Sequence, residues 1–377
     1  MPVFIVGSGA AMMNTWAKSA TARTDRQSDW NAARTTGAVM LETGSMAEEV
    51  TFICCIESGG LEEMTVRMAA SLRRFGGRFA HAPIIAVQPR RGVGVTPRTR
   101  QQLDEYDVAL VRDVAANVYP WNQFFNKPAA MQVGNRLAKT PTVCWIDSDI
   151  LVLAEPQLLS LDDEEDFVAC PSDNCGSTTG PGDRNEAYWK LVIELAGLKL
   201  DDYPWLVNCQ GNRVRTYFNS GLFVYRRDSA FMQHYPAACE RLLMSGYKSP
   251  ITGLFFTDQV MLGASAIAAG LRMRALPMEY NYPVGSQTEE PYSSARMART
   301  VIMHYHAALF PEYWPTMLEQ LRQDRPEVYE WLAPWGPISG QTHWPARIVR
   351  KVLKEYRRRK CERFAQRCEA LEPSAAP

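Results

Sequence analysis

The sequence predicts an α/β fold with a largely parallel central sheet. Short apolar runs of strand length alternate with segments in which apolar residues recur at helical spacing, and this alternation begins near Val50. Such an order is typical of parallel sheets, because a helix usually carries the chain from one strand back to the start of the next. Since no internal repeat is visible, we expect one mixed α/β domain at residues 49–335, with an extension at each end.

The first part of this domain contains three predicted strands and one predicted helix. The strands are short apolar runs, as expected for strands buried on both faces. They lie at Val50–Ile56, Ala82–Gln88 and Val108–Arg112. Between the first two strands, apolar residues such as Met64 and Met68 recur at helical spacing and predict a helix at Leu61–Phe75.

The second part continues the alternation of helices and strands. Thr257 is a suitable N-cap for the second helix of this part, because its hydroxyl can accept a hydrogen bond from the first helical turn. The predicted elements are a helix at Lys127–Leu137, strands at Thr142–Leu153 and Tyr217–Arg226, a helix at Asp258–Ala269 and a strand at Thr300–His306.

Composition excludes several classes of protein. The 41 basic residues balance the 41 acidic ones, so no overall charge favours nucleic acid as a partner. The nine cysteines include no Cys-x-x-Cys pair, which favours free thiols in a reducing compartment. We find no apolar run long enough to span a membrane and no basic start of a secretory signal. These observations predict a cytoplasmic protein, and the Ala/Ser/Thr/Gly-rich segment 1–48 is expected to be a disordered extension.

The C-terminal segment, 336–377, differs from the rest because it is strongly basic. It predicts one helix across 347–367, with Ile348, Val352 and Tyr356 forming an apolar stripe. Two interpretations stay open at this point. The helix either lies on an anionic membrane surface, close to a lipid-linked acceptor, or packs its stripe against the catalytic domain.

The strongest chemical signal is the acidic pair Asp147-Ser148-Asp149 at the end of the apolar run that starts at Thr142. Ligands of open α/β sheets bind at the carboxyl ends of the strands. On an extended backbone residues i and i+2 point the same way, so both carboxylates can hold one divalent cation. Such an ion, Mn²⁺ or Mg²⁺, would neutralise a diphosphate. The alternative is an acidic turn at the surface.

The second signal is His304-Tyr305-His306, which follows another apolar run. Histidine is a common ligand of transition metals, and the chain has only five histidines. We predict His304 as the third metal ligand beside Asp147 and Asp149, with His306 as the alternative ligand or as a phosphate contact.

Five motifs follow one another in a characteristic order. They are Lys127, Asp147-Ser148-Asp149, Phe218-Asn219-Ser220-Gly221, Asp258-Gln259 and His304-Tyr305. In this order the sequence resembles glycosyltransferases of the A-type fold, a Rossmann-like mixed sheet flanked by helices. Within that fold it is similar to the retaining family of glycogenin and the bacterial lipopolysaccharide galactosyltransferases. The likeness extends from about Val50 to Trp314.

The resemblance implies a nucleotide-sugar donor, with UDP favoured, and an acceptor that is a sugar, a lipid or a protein. It implies catalytic positions for Asp258 and Gln259 beside the anomeric carbon. It also implies a set of donor-binding residues: Glu57, Ser58, Gly59, Lys127, Asp147, Ser148, Asp149, Asn219 and Ser220. The sequence departs from the family after His304, where the usual glycine and Lys-Pro-Trp are missing, and in the region 170–215.

One question of mechanism, retention or inversion, and two rival functions stay open in the sequence. Transfer with retention would need no protein nucleophile, whereas inversion would use Asp258 as general base. The first rival is a phosphatase similar to the haloacid dehalogenases, with Asp147 as nucleophile. The second rival is a protein that binds nucleotide sugars without turnover.

Overall fold

The computed structural model describes residues 49–284, 292–340 and 344–371. The predicted extension 1–48 lies outside this range. The described strands are β1 (Val50–Cys55), β2 (Ile84–Gln88), β3 (Val108–Arg112), β4 (Thr142–Ile146), β5 (Ile150–Val152), β6 (Phe167–Pro171), β7 (Trp205–Val207), β8 (Arg213–Arg215), β9 (Phe218–Arg226), β10 (Tyr247–Lys248), β11 (Met273–Ala275), β12 (Tyr282–Pro283), β13 (Ile302–His304) and β14 (Glu369–Ala370).

The described helices cover the faces of the sheet and the C-terminal segment. They are α1 (Gly60–Phe75), α2 (Pro97–Glu105), α3 (Asn126–Leu137), α4 (Glu186–Leu195), α5 (Phe231–Met244), α6 (Thr257–Ala268), α7 (Ser294–Met297), α8 (Trp314–Asp324), α9 (Pro326–Leu332) and α10 (Trp344–Arg367). Among these residues, no helix combines the length and the apolar character needed to cross a bilayer.

The central sheet has seven described strands in the order β11-β6-β9-β4-β1-β2-β3. Strand β9 runs antiparallel to both of its neighbours, and the other strand pairs are parallel. The predicted mixed α/β class with a mostly parallel sheet is therefore confirmed. Because the carboxyl ends of the parallel strands share one edge, residues that follow β1 and β4 meet there.

Alternate residues of the central strands enter different cores. In β1, Phe52 and Cys54 belong to one apolar cluster, whereas Ile53 belongs to the cluster on the opposite face. A strand with two buried faces requires a nearly continuous apolar run, which is the pattern that predicted β1. Helix α1 packs on one side of the sheet, and α3, α5 and α6 pack on the other.

A smaller sheet has the strand order β12-β13-β5. Its apolar residues pack with those of α7, α8 and α9 in a cluster of their own. This arrangement corrects the prediction of one strand at Thr142–Leu153. The chain turns at 147–149, so β4 belongs to the central sheet while β5 pairs antiparallel with β13 of the smaller one. A continuous apolar run does not reveal such a turn, because both halves are buried.

Other predictions hold with shifted ends, and some elements were not predicted. Strand β13 ends at His304, so the predicted strand to His306 is too long; His306 has a positive φ of 45°. Thr257 is the first residue of α6 and not its cap, and its hydroxyl donates to the carbonyl of Leu254. Helices α2, α4, α5, α7, α8 and α9 were not predicted.

One glycine sets the spacing between α3 and the sheet. A Cβ added to Gly134 would lie 2.4 Å from Cδ1 and 2.7 Å from Cγ2 of the buried Ile53. Ile53 is itself buried in the closely packed core on this face of the sheet, so its side chain has little room to move aside. The helix can therefore approach β1 only where residue 134 has no side chain.

We expect Gly134→Ala to destabilise the protein by about 1–3 kcal/mol through overpacking, although alanine favours helix by roughly 1 kcal/mol. Denaturant unfolding measures the change. The double variant Gly134→Ala/Ile53→Ala should be destabilised by less than the sum of the two single variants, because the smaller residue 53 makes room. A Gly134→Ala protein as stable as wild type would contradict this account.

Candidate metal and donor site

The acidic turn between β4 and β5 is anchored by its backbone and by its middle residue. The N–H of Asp147 donates to the carbonyl of Gly221 in β9 at 2.8 Å, and the carbonyl of Asp149 accepts from the N–H of Tyr305 at 3.0 Å. Ser148 Oγ donates to the carbonyl of Cys55 at 2.6 Å. Ser148 therefore ties the turn to β1, while the two aspartates on either side of it are left to face the site.

His304 completes a set of three ligand atoms. One atom each from Asp147, Asp149 and His304 lie within 4.8 Å of one another, and His304 Nε2 lies 3.3 Å from Asp149 Oδ1. Two carboxylates and an imidazole suit Mn²⁺, and the oxygen ligands also suit Mg²⁺. The geometry agrees with the choice of His304 over His306, whose ring stacks on that of His304 at 4.1 Å.

The orientation of His304 depends on two asparagines and a glycine. His304 Nδ1 lies 3.1 Å from Asn281 Oδ1, and Asn281 Nδ2 donates to Asn219 Oδ1 at 2.7 Å. A proton on Nδ1 leaves the lone pair of Nε2 for a metal, as second-shell partners of metal-binding histidines commonly do. A Cβ on Gly221 would lie 2.8 Å from His304 Nδ1. Glycine is therefore needed at 221 for the imidazole to fit.

The charges of the three groups depend on one another. Burial lowers the pKa of His304, but the carboxylates of Asp149 and Asp147 outweigh burial and raise it. For Asp149, burial is outweighed by His304, and the pKa is lowered. For Asp147, burial and the charge of Asp149 outweigh Lys127, and the pKa is raised. Burial, and next the charge of His304, lower the pKa of His306 to about 4, so His306 stays neutral.

Lys127 joins the acidic turn to α6. Its Nζ donates to the carbonyl of Ser220 at 2.6 Å and to Ser220 Oγ at 2.8 Å, and it lies 3.3 Å from carboxylate oxygens of both Asp147 and Asp258. Burial opposes the charge of the ammonium, but the two carboxylates outweigh burial and raise the pKa of Lys127. The lysine is therefore charged at neutral pH.

Asp258 and Gln259 both contact Ser220. Ser220 Oγ donates to Asp258 Oδ2 at 3.1 Å, and Gln259 Oε1 accepts from the Ser220 N–H at 3.1 Å. Gln259 Nε2 also donates to the Tyr217 hydroxyl. Because both side chains are buried and bonded to protein groups, they position the first residues of β9.

The predicted nucleotide end of the site lies after β1. The Glu57 carboxylate pairs with Arg90 through two hydrogen bonds, one of them 2.7 Å long, so its charge is already compensated. Ser58 Oγ is buried, with no hydrogen-bond partner among the described residues. The N–H of Gly59 donates to Glu62 Oε1 at 2.9 Å. A buried hydroxyl without a protein partner can form a hydrogen bond with a ligand atom.

One family model matches this chain. The model described as the Rhodobacterales glycosyltransferase domain matches residues 52–270, more than half of the chain. The chain belongs to this family. The protein is therefore a glycosyltransferase, and the predicted resemblance to glycosyltransferases is confirmed. No curated protein matches the sequence.

Several solved structures are similar to this glycosyltransferase. The galactosyltransferase LgtC in complex with donor and acceptor sugar analogs is 11% identical, with 78% of this chain and 98% of that chain covered and a TM-score of 0.45. The bifunctional glycosyltransferase WbbM is 14% identical, with 75% of this chain covered and a TM-score of 0.42; the match spans about half (51%) of WbbM. GlyE of Streptococcus pneumoniae TIGR4 is 13% identical, with 78% and 66% covered and a TM-score of 0.42.

Three residues around the glycosyltransferase site were not predicted. Asn281 orients His304, Trp145 Nε1 donates to Asp147 Oδ1 at 2.8 Å, and Arg90 pairs with Glu57. Trp145 was detectable in principle, since it lies two residues before Asp147 on the same face of β4. Asn281 and Arg90 come from distant segments, and no local pattern marks them.

We expect the imidazole of His304 in the metal-free protein to titrate above the ordinary histidine pKa, and Asp149→Asn to lower that pKa. The reason is that Asp149 supplies the largest opposition to burial. The raised pKa also means that the His304–Asp149 pair stabilises the protein at low pH and loses this effect as pH rises through the raised value. NMR titration of the His304 ring protons measures the pKa of His304 in wild type and in Asp149→Asn.

The control for this titration is Asp166→Asn, which removes a remote carboxylate paired with Arg272. It should leave the His304 titration unchanged. An Asp149→Asn protein in which the His304 pKa stays the same or rises would show that Asp149 does not control it.

Proposed function

We propose that this glycosyltransferase transfers a sugar from a nucleoside-diphosphate sugar and depends on Mn²⁺ or Mg²⁺. The observation that carries the proposal is the convergence of Asp147, Asp149 and His304 at one point. These three residues would hold the ion, which neutralises the diphosphate as it leaves. Asp149 and His304 Nε2 are the best placed, because Asp147 already accepts from Trp145 and lies beside Lys127.

The chain itself would position the donor around this point. Lys127 and Ser220 form a polar wall beside Asp147, and Asn219 extends it towards His304. Glu57, Ser58 and Gly59 would contact the nucleoside, with the buried Ser58 hydroxyl available as a hydrogen-bond partner. We propose UDP as the nucleotide, on the strength of the motif order alone.

We further propose that transfer retains the anomeric configuration. Asp258, the candidate base for inversion, is buried and bonded to Lys127 and Ser220. A general base has to reach the acceptor hydroxyl, whereas Asp258 is placed to hold Lys127. Asp258 and Gln259 would then stabilise the reacting sugar indirectly, because they hold Ser220 in place. NMR of the product distinguishes retention from inversion.

The two rival functions have lost their support. The family assignment is that of a glycosyltransferase domain. The acidic pair follows the fourth described strand, whereas in the phosphatases it follows the first strand of the domain. The three potential metal ligands are all present, which argues against a protein that only binds nucleotide sugars.

We expect Mn²⁺-dependent binding of one nucleotide among UDP, GDP and CMP, and its loss by at least about tenfold in Asp149→Ala, because a ligand of the ion is removed. Calorimetry with and without Mn²⁺ on both proteins measures this. Asp163→Ala, which removes an exposed carboxylate, should bind like wild type. Folded wild type that binds none of the three nucleotides would refute the proposed function.

The outward face of α10 supports the membrane interpretation of the basic segment. Ile348, Val352 and Tyr356 are 51%, 62% and 59% exposed. The interpretation that this stripe packs against the domain is therefore wrong. The helix carries ten arginines and lysines against two glutamates. Exposed apolar residues flanked by cations fit an anionic lipid surface.

We propose that this face binds anionic membrane from the cytoplasmic side. The nine cysteines, all among the described residues, form no disulfide, which is compatible with a reducing compartment. The acceptor that we propose is a sugar, a lipid or a protein. An enzyme bound to the membrane would reach a lipid-linked acceptor most directly. Nucleic acid is not proposed as a partner.

We expect the variant Ile348→Ser/Val352→Ser/Tyr356→Ser to lose most of its co-sedimentation with vesicles that contain phosphatidylserine, because about 1–2 kcal/mol of apolar burial is lost per residue. The substitutions lie on the exposed side, so the fold should be kept. A matched triple substitution of exposed apolar residues elsewhere, Val118→Ser/Val207→Ser/Ile251→Ser, is the control. Equal binding of both variants and wild type would refute membrane docking.

A further inference from the structure

The side of α10 that faces the domain carries two arginines among its packing residues. The less exposed residues recur at helical spacing: Ala346, Arg350, Leu353, Arg357, Cys361 and Phe364. Near the end of the helix, Phe364 packs on Trp121 with ring centroids 4.6 Å apart, and Lys248 Nζ donates to the Ala365 carbonyl at 2.7 Å. The helix is therefore attached to the domain along this side, with Arg350 and Arg357 directed inward.

Arg350 lies against Gly59, where β1 leads into α1. A Cβ built on Gly59 would lie 1.9 Å from Nη2 and 2.2 Å from Cζ of Arg350. The guanidinium thus occupies the space that a side chain at 59 would take. Gly59 also has a φ of 113°, which few residues other than glycine adopt. Both facts let the arginine come directly over the backbone of the predicted donor site.

Arg357 adds positive charge to the same edge. It donates to the carbonyl of Arg91 and lies beside the Arg90–Glu57 pair. Burial lowers the pKa of Arg357, the charge of Arg90 lowers it further, and Glu57 opposes both. Arg357 thus lies beside the Arg90–Glu57 pair, and Arg350 lies one step further along the same segment, at Gly59, whose N–H donates to Glu62. Guanidiniums at the predicted donor site favour an anionic ligand.

This cationic edge and the candidate metal ligands lie at the same end of the sheet. Strands β1 and β4 are parallel, with Ile53 opposite Trp145, so Glu57–Gly59 extends beyond the level of Asp147. A Cβ on Gly60 would lie 3.9 Å from the ring of Phe310, four residues after His306. The segment from His304 to Trp314 contains no lysine or arginine. Within the site, Lys127 and the arginines near Gly59 are the basic side chains described above.

We propose that Arg350, with Arg357 behind it, binds the diphosphate of the donor, which makes the C-terminal helix part of the donor site. The inference rests on the proposed nucleotide-sugar donor. A guanidinium donates two parallel hydrogen bonds to phosphate oxygens. The buried hydroxyl of Ser58, which precedes Gly59 in the chain, would bond to the same ligand. The helix would thus join the donor site on its inner face to the lipid surface on its outer face.

Calorimetric titration of the full chain with UDP in the presence of Mn²⁺ tests this assignment. The proteins are wild type, Arg350→Met, Arg350→Lys and Lys351→Met. Methionine keeps an unbranched apolar side chain but removes the charge, and lysine keeps the charge without the two-pronged geometry. Lys351 is exposed on the same helix and is the matched control.

We expect Arg350→Met to weaken UDP binding roughly tenfold or more, Arg350→Lys to recover part of that loss, and Lys351→Met to bind like wild type. Binding by Arg350→Met equal to wild type, or an Arg350→Lys protein as weak as Arg350→Met, would overturn the phosphate contact. Thermal unfolding of each variant shows whether α10 remains attached to the domain. Wild type that binds no UDP, GDP or CMP would instead overturn the proposed function, before any variant is compared.

Discussion

The turn at 147–149 has to be held from three sides before it can present two carboxylates to one ion. Gly221 in β9 accepts from the backbone of Asp147, and Tyr305 after β13 donates to that of Asp149. The side chain of Ser148 bonds to β1. The turn is thus the junction of the central sheet, the small sheet and the first strand. Because all three attachments use backbone or serine groups, the aspartate side chains are left for the site.

The acidic turn also takes part in a buried charge network around Lys127. The ammonium lies 3.3 Å from Asp147 and from Asp258, which come from the turn and from α6. Buried ion pairs add little net stability, because desolvation offsets their attraction, but removal of one partner leaves a costly unpaired charge. The network therefore fixes where α3, β4, β9 and α6 lie relative to one another. Ser220, bonded to both Lys127 and Asp258, connects the network to the start of β9.

The C-terminal helix has one face towards the proposed donor site and the opposite face towards the proposed membrane surface. Its inner arginines lie at Gly59 and at the Glu57–Arg90 pair, and its outer stripe is exposed. If both proposals hold, one helix with these two faces would link a lipid surface to a nucleotide. The glycine at 59 is as important to this arrangement as the arginines, since any side chain there would displace the guanidinium.

The sequence by itself determined the class of fold, the positions of five of the seven described strands of the central sheet and the residues of the acidic turn. These features follow from local patterns, because apolar periodicity and an Asp-x-Asp after a strand are properties of neighbouring residues. The chemistry of histidine also made His304 a candidate metal ligand, and motif order made Lys127 a candidate donor contact. Only the tertiary structure decided that the run 142–153 divides between two sheets, that Asn281 orients His304, and that the stripe of α10 faces outward while Arg350 faces Gly59. These facts depend on contacts between segments that are distant in the chain, and no local pattern carries that information.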